Sequence, residues 1–165
     1  MTNRLSLLTV IVALLCGCET APGPAAEGGY VPPLAEAGVL ATITGSRTSG
    51  EEFLEGEHTG QVLMIDSKLV RDSHDAWSKS IALAPGRHSI VAKYDHAHYM
   101  SQAFLTFEAK AGSAYQLAIK NGTEPPDEQR YCEFWIVDLA TGRPVTEVLR
   151  RHVSGGSPQW IFGVP

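Results

Sequence analysis

The 165-residue sequence has only three cysteines, no long apolar run, no block of charge of one sign and almost no helical periodicity. Each shortage excludes something. Cys16 and Cys18 lie together near the start and Cys132 stands alone, so no disulfide framework organises the chain. None is needed, because a domain of this length can bury an adequate core without cross-links. The longest apolar run, Leu7 to Leu15, has nine residues, where a bilayer crossing takes about twenty. A transmembrane helix is therefore not expected. Thirteen basic and 18 acidic residues give a net charge of -5 and are spread along the sequence. With no basic stripe, nucleic acid is not an expected partner. There is no G-x-S-x-G nucleophile elbow, and no internal repeat. The length fits one domain with attachments.

What the sequence does contain begins with three zones at the N-terminus: a polar start with Arg4, the apolar run, then small residues around the first cysteines. This is the grammar of a secretory signal. Leu15, Cys16, Gly17 and Cys18 stand in the order of a lipobox, and the segment resembles a bacterial lipoprotein signal. Only Cys18 fits the register, since lipidation of Cys16 would put Leu15 where the peptidase needs a small side chain. The resemblance implies a diacylglyceryl group on the Cys18 thiol, cleavage after Gly17, and acylation of the new amino group. Cys16 leaves with the signal. A redox or metal-binding Cys-x-Cys would need further thiolate or imidazole ligands nearby, and none follow. Glu19 rather than Asp follows the anchor, which in that family implies passage to the outer membrane. Two or three acyl chains hold a protein firmly, whereas one holds it only marginally. Residues 1–17 are thus read as the signal.

Residues 18–37 are read as lipidated cysteine and flexible tether, because "ETAPGPAAEGGYVPPLAEA" is rich in Pro, Gly and Ala and has no apolar period. Tyr30 and Val31 are the residues best suited to dock if this segment packs on the domain. From residue 38 to 165 the apolar period changes to two. Strands are expected at 39–45, 61–66, 79–83, 88–94, 103–109, 114–120, 131–138 and 145–149. Turns are expected at Pro85-Gly86, Asn121-Gly122 and Gly142. One helical turn is expected within 72–79. The fold class is all-β: a single β-sandwich of seven or eight antiparallel strands. Its expected core is Val39, Ala41, Ile43, Ile81, Leu83, Ile90, Ala92, Tyr94, Leu105, Phe107, Tyr115, Leu117, Ile119, Phe134 and Ile136.

The succession "MIDSKLV", "IALAPGRHSIVAKY", "FLTFEAKAGSAYQLAI" and "FWIVDLATGRPV" resembles PEGA-type domains of bacterial envelope proteins over most of 61–145. Ser67 stands where that family often has Gly. The resemblance implies an immunoglobulin-like or transthyretin-like sandwich and no particular activity.

Several groups invite a chemical reading. In "YDHAHY", Asp95, His96 and His98 offer a metal site if a His-x-His pair on a strand points both rings to one face, with His58, His74 or His152 as a third ligand. The alternative is a polar hairpin tip. Ser73, His74 and Asp75 are adjacent in sequence, which is not how a triad is assembled. Glu51, Glu52, Glu55 and Glu57 lack the spacing of a calcium loop and read as a solvated acidic loop. His88 reads as structural, bonding backbone at the start of a strand. Trp77, Tyr131, Trp135 and Trp160 offer a stacking platform, against which Trp135 reads as core and Trp160 to Phe162 as a docked final strand.

These observations point to a lipid-anchored, non-enzymatic binding or structural module facing the periplasm from the outer membrane. It needs no cofactor, meets the membrane through Cys18, and binds an envelope protein through the loops at 95–99 or 123–130. The alternative is a metal- or small-ligand-binding lipoprotein using Asp95, His96 and His98; a hydrolase ranks third.

Overall fold

A computed structural model of the chain describes residues 28–34, 39–50, 56–70, 76–125 and 129–155. The strands are β1 (Ala41–Thr44), β2 (Ser46–Gly50), β3 (Gly56–Ile65), β4 (Lys68–Leu69), β5 (Ile81–Leu83), β6 (Gly86–His96), β7 (Tyr99–Ala109), β8 (Ala114–Glu124), β9 (Gln129–Asp138), β10 (Arg143–Pro144), β11 (Leu149–His152) and β12 (Ser154–Gly155). One sheet runs β10-β9-β8-β1-β5 with β11 also on β9, and the other runs β12-β7-β6-β3-β2 with β4 on β3. The architecture is an open, two-sheet all-β sandwich. Every pairing is antiparallel except β1 with β8, where Ile43 lies opposite Tyr115 in parallel. That exception follows from connectivity, because the chain passes through the second sheet between those two strands.

Alternation builds the core. Along β6 the inward positions are His88, Ile90, Ala92 and Tyr94; along β7 they are every second residue from Ser101 to Ala109. Tyr115, Leu117 and Ile119 face them from β8, and Cys132, Phe134 and Ile136 from β9. Phe107 and Tyr115 meet edge to face at 4.9 Å, and the Tyr115 hydroxyl accepts the Lys110 N–H at 3.0 Å, pinning the turn between β7 and β8. Of the expected core, Val39 is half exposed because it precedes β1, and Ile81 is only partly buried. Val62, Leu63, Ile65, Ala103, Ala109 and Cys132 join it. In β3 the register shifts between Val62 and Met64, so Val62 and Leu63 are both buried; the bulge breaks the alternation there.

Several local expectations give way to tertiary geometry. Asn121-Gly122 is not a turn: β8 continues to Glu124, with Gly122 opposite Tyr131. The Tyr131 ring lies over Gly122, where a Cβ would stand 2.6 Å from the phenolic oxygen, so glycine is there for the close approach. Of the expected strand at 145–149, residues 145–148 instead connect β10 to β11, and only Leu149 lies in a strand, as the first residue of β11. Polar β2 is an unexpected strand; it continues from β1 around Gly45 into the other sheet. A Cβ on Gly45 would lie 2.2 Å from the Gly60 carbonyl oxygen and 2.8 Å from the Trp77 backbone, so only glycine turns this corner. The expected helical turn is a 3-10 turn, Ala76–Ser78. Trp135 faces outward, half-buried, while its neighbours Phe134 and Ile136 face the core.

The stretch 28–34 contains no strand or helix, yet Tyr30 is tied to the sandwich. Its N–H donates to the Leu69 carbonyl at 2.7 Å, its hydroxyl donates to the Ala82 carbonyl at 2.7 Å, and its ring packs on the core. Val31, expected to dock with it, is 80% exposed. The expected boundary at 37/38, like Cys16, Cys18 and the signal, lies outside the described residues.

Candidate functional site

The histidine-rich end of the β6–β7 hairpin is built by its own turn and by β3. Register places His96 opposite Tyr99, and Ala97, with φ 51°, reverses the chain. His96 therefore ends β6 while His98 sits exposed in the turn. The two are not alternate residues of one strand with rings on one face. They form the polar hairpin tip, because the chain reverses between them.

Beneath this tip lies His58 of β3, fully buried. Its Nδ1 is 2.7 Å from the Tyr94 hydroxyl, and its ring stacks on His96 at 4.1 Å with planes 21° apart. The His96 Nδ1 donates to the Glu57 carbonyl oxygen at 3.0 Å. Asp95 accepts from Lys93 at 2.7 Å, and Thr59 Oγ1 donates to the Asp95 carbonyl at 3.3 Å. On the adjoining strand Arg47 pairs with Glu57. Burial pushes the Tyr94 hydroxyl far above its ordinary range, with Cys132 and Asp95 adding to it against Arg130, so Tyr94 stays a neutral hydrogen-bonding group.

Of the three histidines offered as alternatives for a third ligand, His58 is the one the structure brings to the tip. His152 instead pairs with Tyr131 in the other sheet; His74 lies outside the described residues. Stacked imidazoles present π-faces to one another, while their nitrogen lone pairs lie in the ring planes, so His58 and His96 do not converge on a common ion. Among the described residues no three His, Cys, Asp or Glu side chains gather as a metal site requires. What the arrangement does is stiffen the hairpin and present the Ala97-His98 turn to solvent.

His88 makes a second polar junction. Its Nδ1 is 2.7 Å from Asp66 Oδ2 and its Nε2 is 2.7 Å from the Ala84 carbonyl oxygen. Both nitrogens face acceptors, so the two bonds are complete when each carries hydrogen. Asp66 also accepts from Ser89 N at 2.9 Å. Partial burial alone would raise the Asp66 carboxyl, but the bonds from Ser89 and His88 outweigh it and hold it below the ordinary range. Asp66 and Ser67, at φ 50° and 63°, form the two-residue turn joining β3 to β4, with Ile65 opposite Lys68. His88 is thus a structural residue bonded to backbone, and to a carboxylate that the sequence did not indicate.

On the outer face of β9, Arg150 stacks on Tyr131 at 4.0 Å and bonds Glu133 at 2.7 Å and Glu124 at 2.8 Å. Arg130 lies over Tyr99 at 4.2 Å and Arg47 over Trp77 at 5.3 Å. Tyr131 and Trp77 therefore already carry a cation on one face. The polar loop expected at 123–130 is shorter than the sequence suggests, because Thr123 and Glu124 pair with Arg130 and Gln129. Ser73, Asp75, Glu51, Glu52, Glu55, Asp127, Glu128, Trp160 and Phe162 lie outside the described residues. Compared with protein-family models, with curated proteins and with solved structures, the chain matches none of them.

Proposed function

We propose that the protein is a lipid-anchored module of the bacterial envelope, held in the outer membrane through Cys18 and facing the periplasm, whose sandwich binds a protein partner without catalysis. The anchor is supported by the lipobox register of Leu15-Cys16-Gly17-Cys18 behind a nine-residue apolar run. The binding role rests on one observation: the β6–β7 hairpin ends in a turn locked from below by the His96–His58 stack and the bond to Glu57. A stiff, exposed tip loses little conformational freedom when a partner takes hold of it. The polar side chains most suited to chemistry are engaged in holding the fold, as His58 is with Tyr94 and His88 with Asp66. Tethering raises the local concentration of such a module without any new contact.

The test is proximity crosslinking from the anchored protein in intact cells, comparing wild type with His98→Ala and with His96→Ala/His98→Ala. Loss of specific crosslinked partners in these variants is expected. Stoichiometric zinc or copper in the purified wild type, lost in the double variant, would replace this reading with metal handling.

A further inference from the structure

Among the described residues, β7 carries the longest stretch of strand edge without a strand partner. Along one side β7 pairs with β6 without a break from Gly86 opposite Ala109 to His96 opposite Tyr99. Along the other, β12 pairs only with Tyr99 and Met100, and the Ser101 hydroxyl bonds the His152 carbonyl at 2.9 Å. From Gln102 to Ala109 that side has no strand partner among the described residues. Outward N–H and C=O groups of such an edge are a template for another backbone, and proteins usually guard it with Pro, Lys or a bulge. The stretch "QAFLTFEA" has neither Pro nor Lys, and its register on β6 shows no bulge. The other sheet ends in short strands, β5 on one side and β10 and β11 on the other.

Beside the open edge runs a groove of about 230 Å³, walled by Phe104, Leu105 and Thr106 on β7 and by Thr146, Glu147 and Leu149 opposite. Phe104 is 59% exposed at its rim, and Val145 and Val148 in the facing segment are 40% and 50% exposed. Glu147 is exposed and has no ion-pair partner among the described residues. Among the described residues no basic side chain lines the groove.

We propose that this groove takes an extended peptide strand of a partner protein, antiparallel to β7, apolar at alternate positions and carrying a basic side chain opposite Glu147. The proposal rests on the reading of the domain as a binding module and names the kind of partner. Only an extended backbone matches the spacing of edge groups on a strand. β12 already docks antiparallel on this same edge, and an incoming strand of that polarity extends its ladder. The facing 146–149 segment makes the site two-sided, which suits a single strand better than the broad sheet of a second copy. Glu147, which has no ion-pair partner among the described residues, supplies the charge preference.

The test uses the full-length chain and a labelled ten-residue peptide of alternating Val and Thr with a central Lys, followed by fluorescence anisotropy. Saturable binding is expected. It should weaken by about tenfold or more when the central Lys is replaced by Glu, and likewise for the Lys peptide on Glu147→Lys or Phe104→Lys. Both variants change exposed side chains, and an unchanged Tm confirms that they fold. Absence of saturable binding, or binding indifferent to both variants, overturns the proposal. Binding seen only in a Trp160→Ser/Phe162→Ser variant would assign the groove to the chain's own last residues and overturn it too. So would a wild-type dimer that Phe104→Lys dissociates. If partners crosslinked in cells are lost in the His98 variant but unaffected by Phe104→Lys, the binding-module reading stands and this one falls.

Discussion

The Asp66-Ser67 turn gives the sharpest stability prediction, because two non-glycine residues occupy the left-handed region side by side. Ser67, at φ 63°, carries a penalty of roughly 1–2 kcal/mol for an L-residue. Glycine removes that penalty but adds about 0.5–1 kcal/mol of backbone entropy. Ser67→Gly should therefore stabilise the fold by about 0.5–1 kcal/mol. Asp66→Ala acts in the opposite direction through three losses. The carboxylate is 44% exposed, so its ionic bonds count for only about 1 kcal/mol. Leaving the largely buried His88 without an acceptor costs about 1 kcal/mol more, and alanine tolerates φ 50° less well than aspartate by about another. The sum is about 3 kcal/mol. Asp66→Asn keeps an acceptor for Ser89 N and tolerance of the left-handed region, and should cost about half as much. Urea unfolding at constant m-value measures all three variants. The pH dependence adds a sign. Because the folded Asp66 titrates below its unfolded value of about 3.9, its stabilisation is fully present above that value and is lost as pH falls through the folded one. The gap between wild type and Asp66→Asn should close in acid. A destabilising Ser67→Gly, or a gap that widens as pH falls toward 3, would refute this reasoning.

Gly122→Ala should destabilise by about 1–2 kcal/mol in thermal or urea unfolding, since the Tyr131 ring must be displaced and that outweighs the better strand propensity of alanine. Cys132 is fully buried, and burial, reinforced by Glu133, raises its thiol well above the ordinary range. Maleimide should therefore label it in the native protein only at the rate of global unfolding, and at once in denaturant. Tyr30→Phe removes the bond to the Ala82 carbonyl, costing about 1 kcal/mol, and limited proteolysis should then cut within 28–34 several times faster than in wild type.

How far the sequence reveals this fold depends on whether a residue's partners are near or far. Period-two alternation identifies Ile90, Ala92 and Tyr94 on β6, and Leu117 and Ile119 on β8, because each strand has one face against the opposite sheet. The same parity places Trp135 outside, between buried Phe134 and Ile136, where its apolar neighbours alone suggest core. Asn121-Gly122 has turn chemistry, yet the need for space beneath Tyr131, nine residues on from Gly122, decides its conformation. β2 is illegible because "SRTSG" shows no apolar alternation; its existence depends on pairing with β3 at the sheet's edge. His58 carries no local sign of burial. Its partner Tyr94 is 36 positions away, and the stack on His96 forms only once β3 lies beside β6. The hairpin tip at 96–98 is readable as a polar reversal between two strands. What lies under it is not.

The central claim is an anchored module, and mass spectrometry of the mature N-terminal peptide from membrane fractions tests it most directly. The account predicts a peptide that begins at Cys18 and carries the mass of a diacylglyceryl group plus an amide-linked acyl chain, with Cys18→Ser accumulating as unlipidated precursor. A mature chain that begins elsewhere, or lipid that is lost in Cys16→Ser and retained in Cys18→Ser, would contradict it.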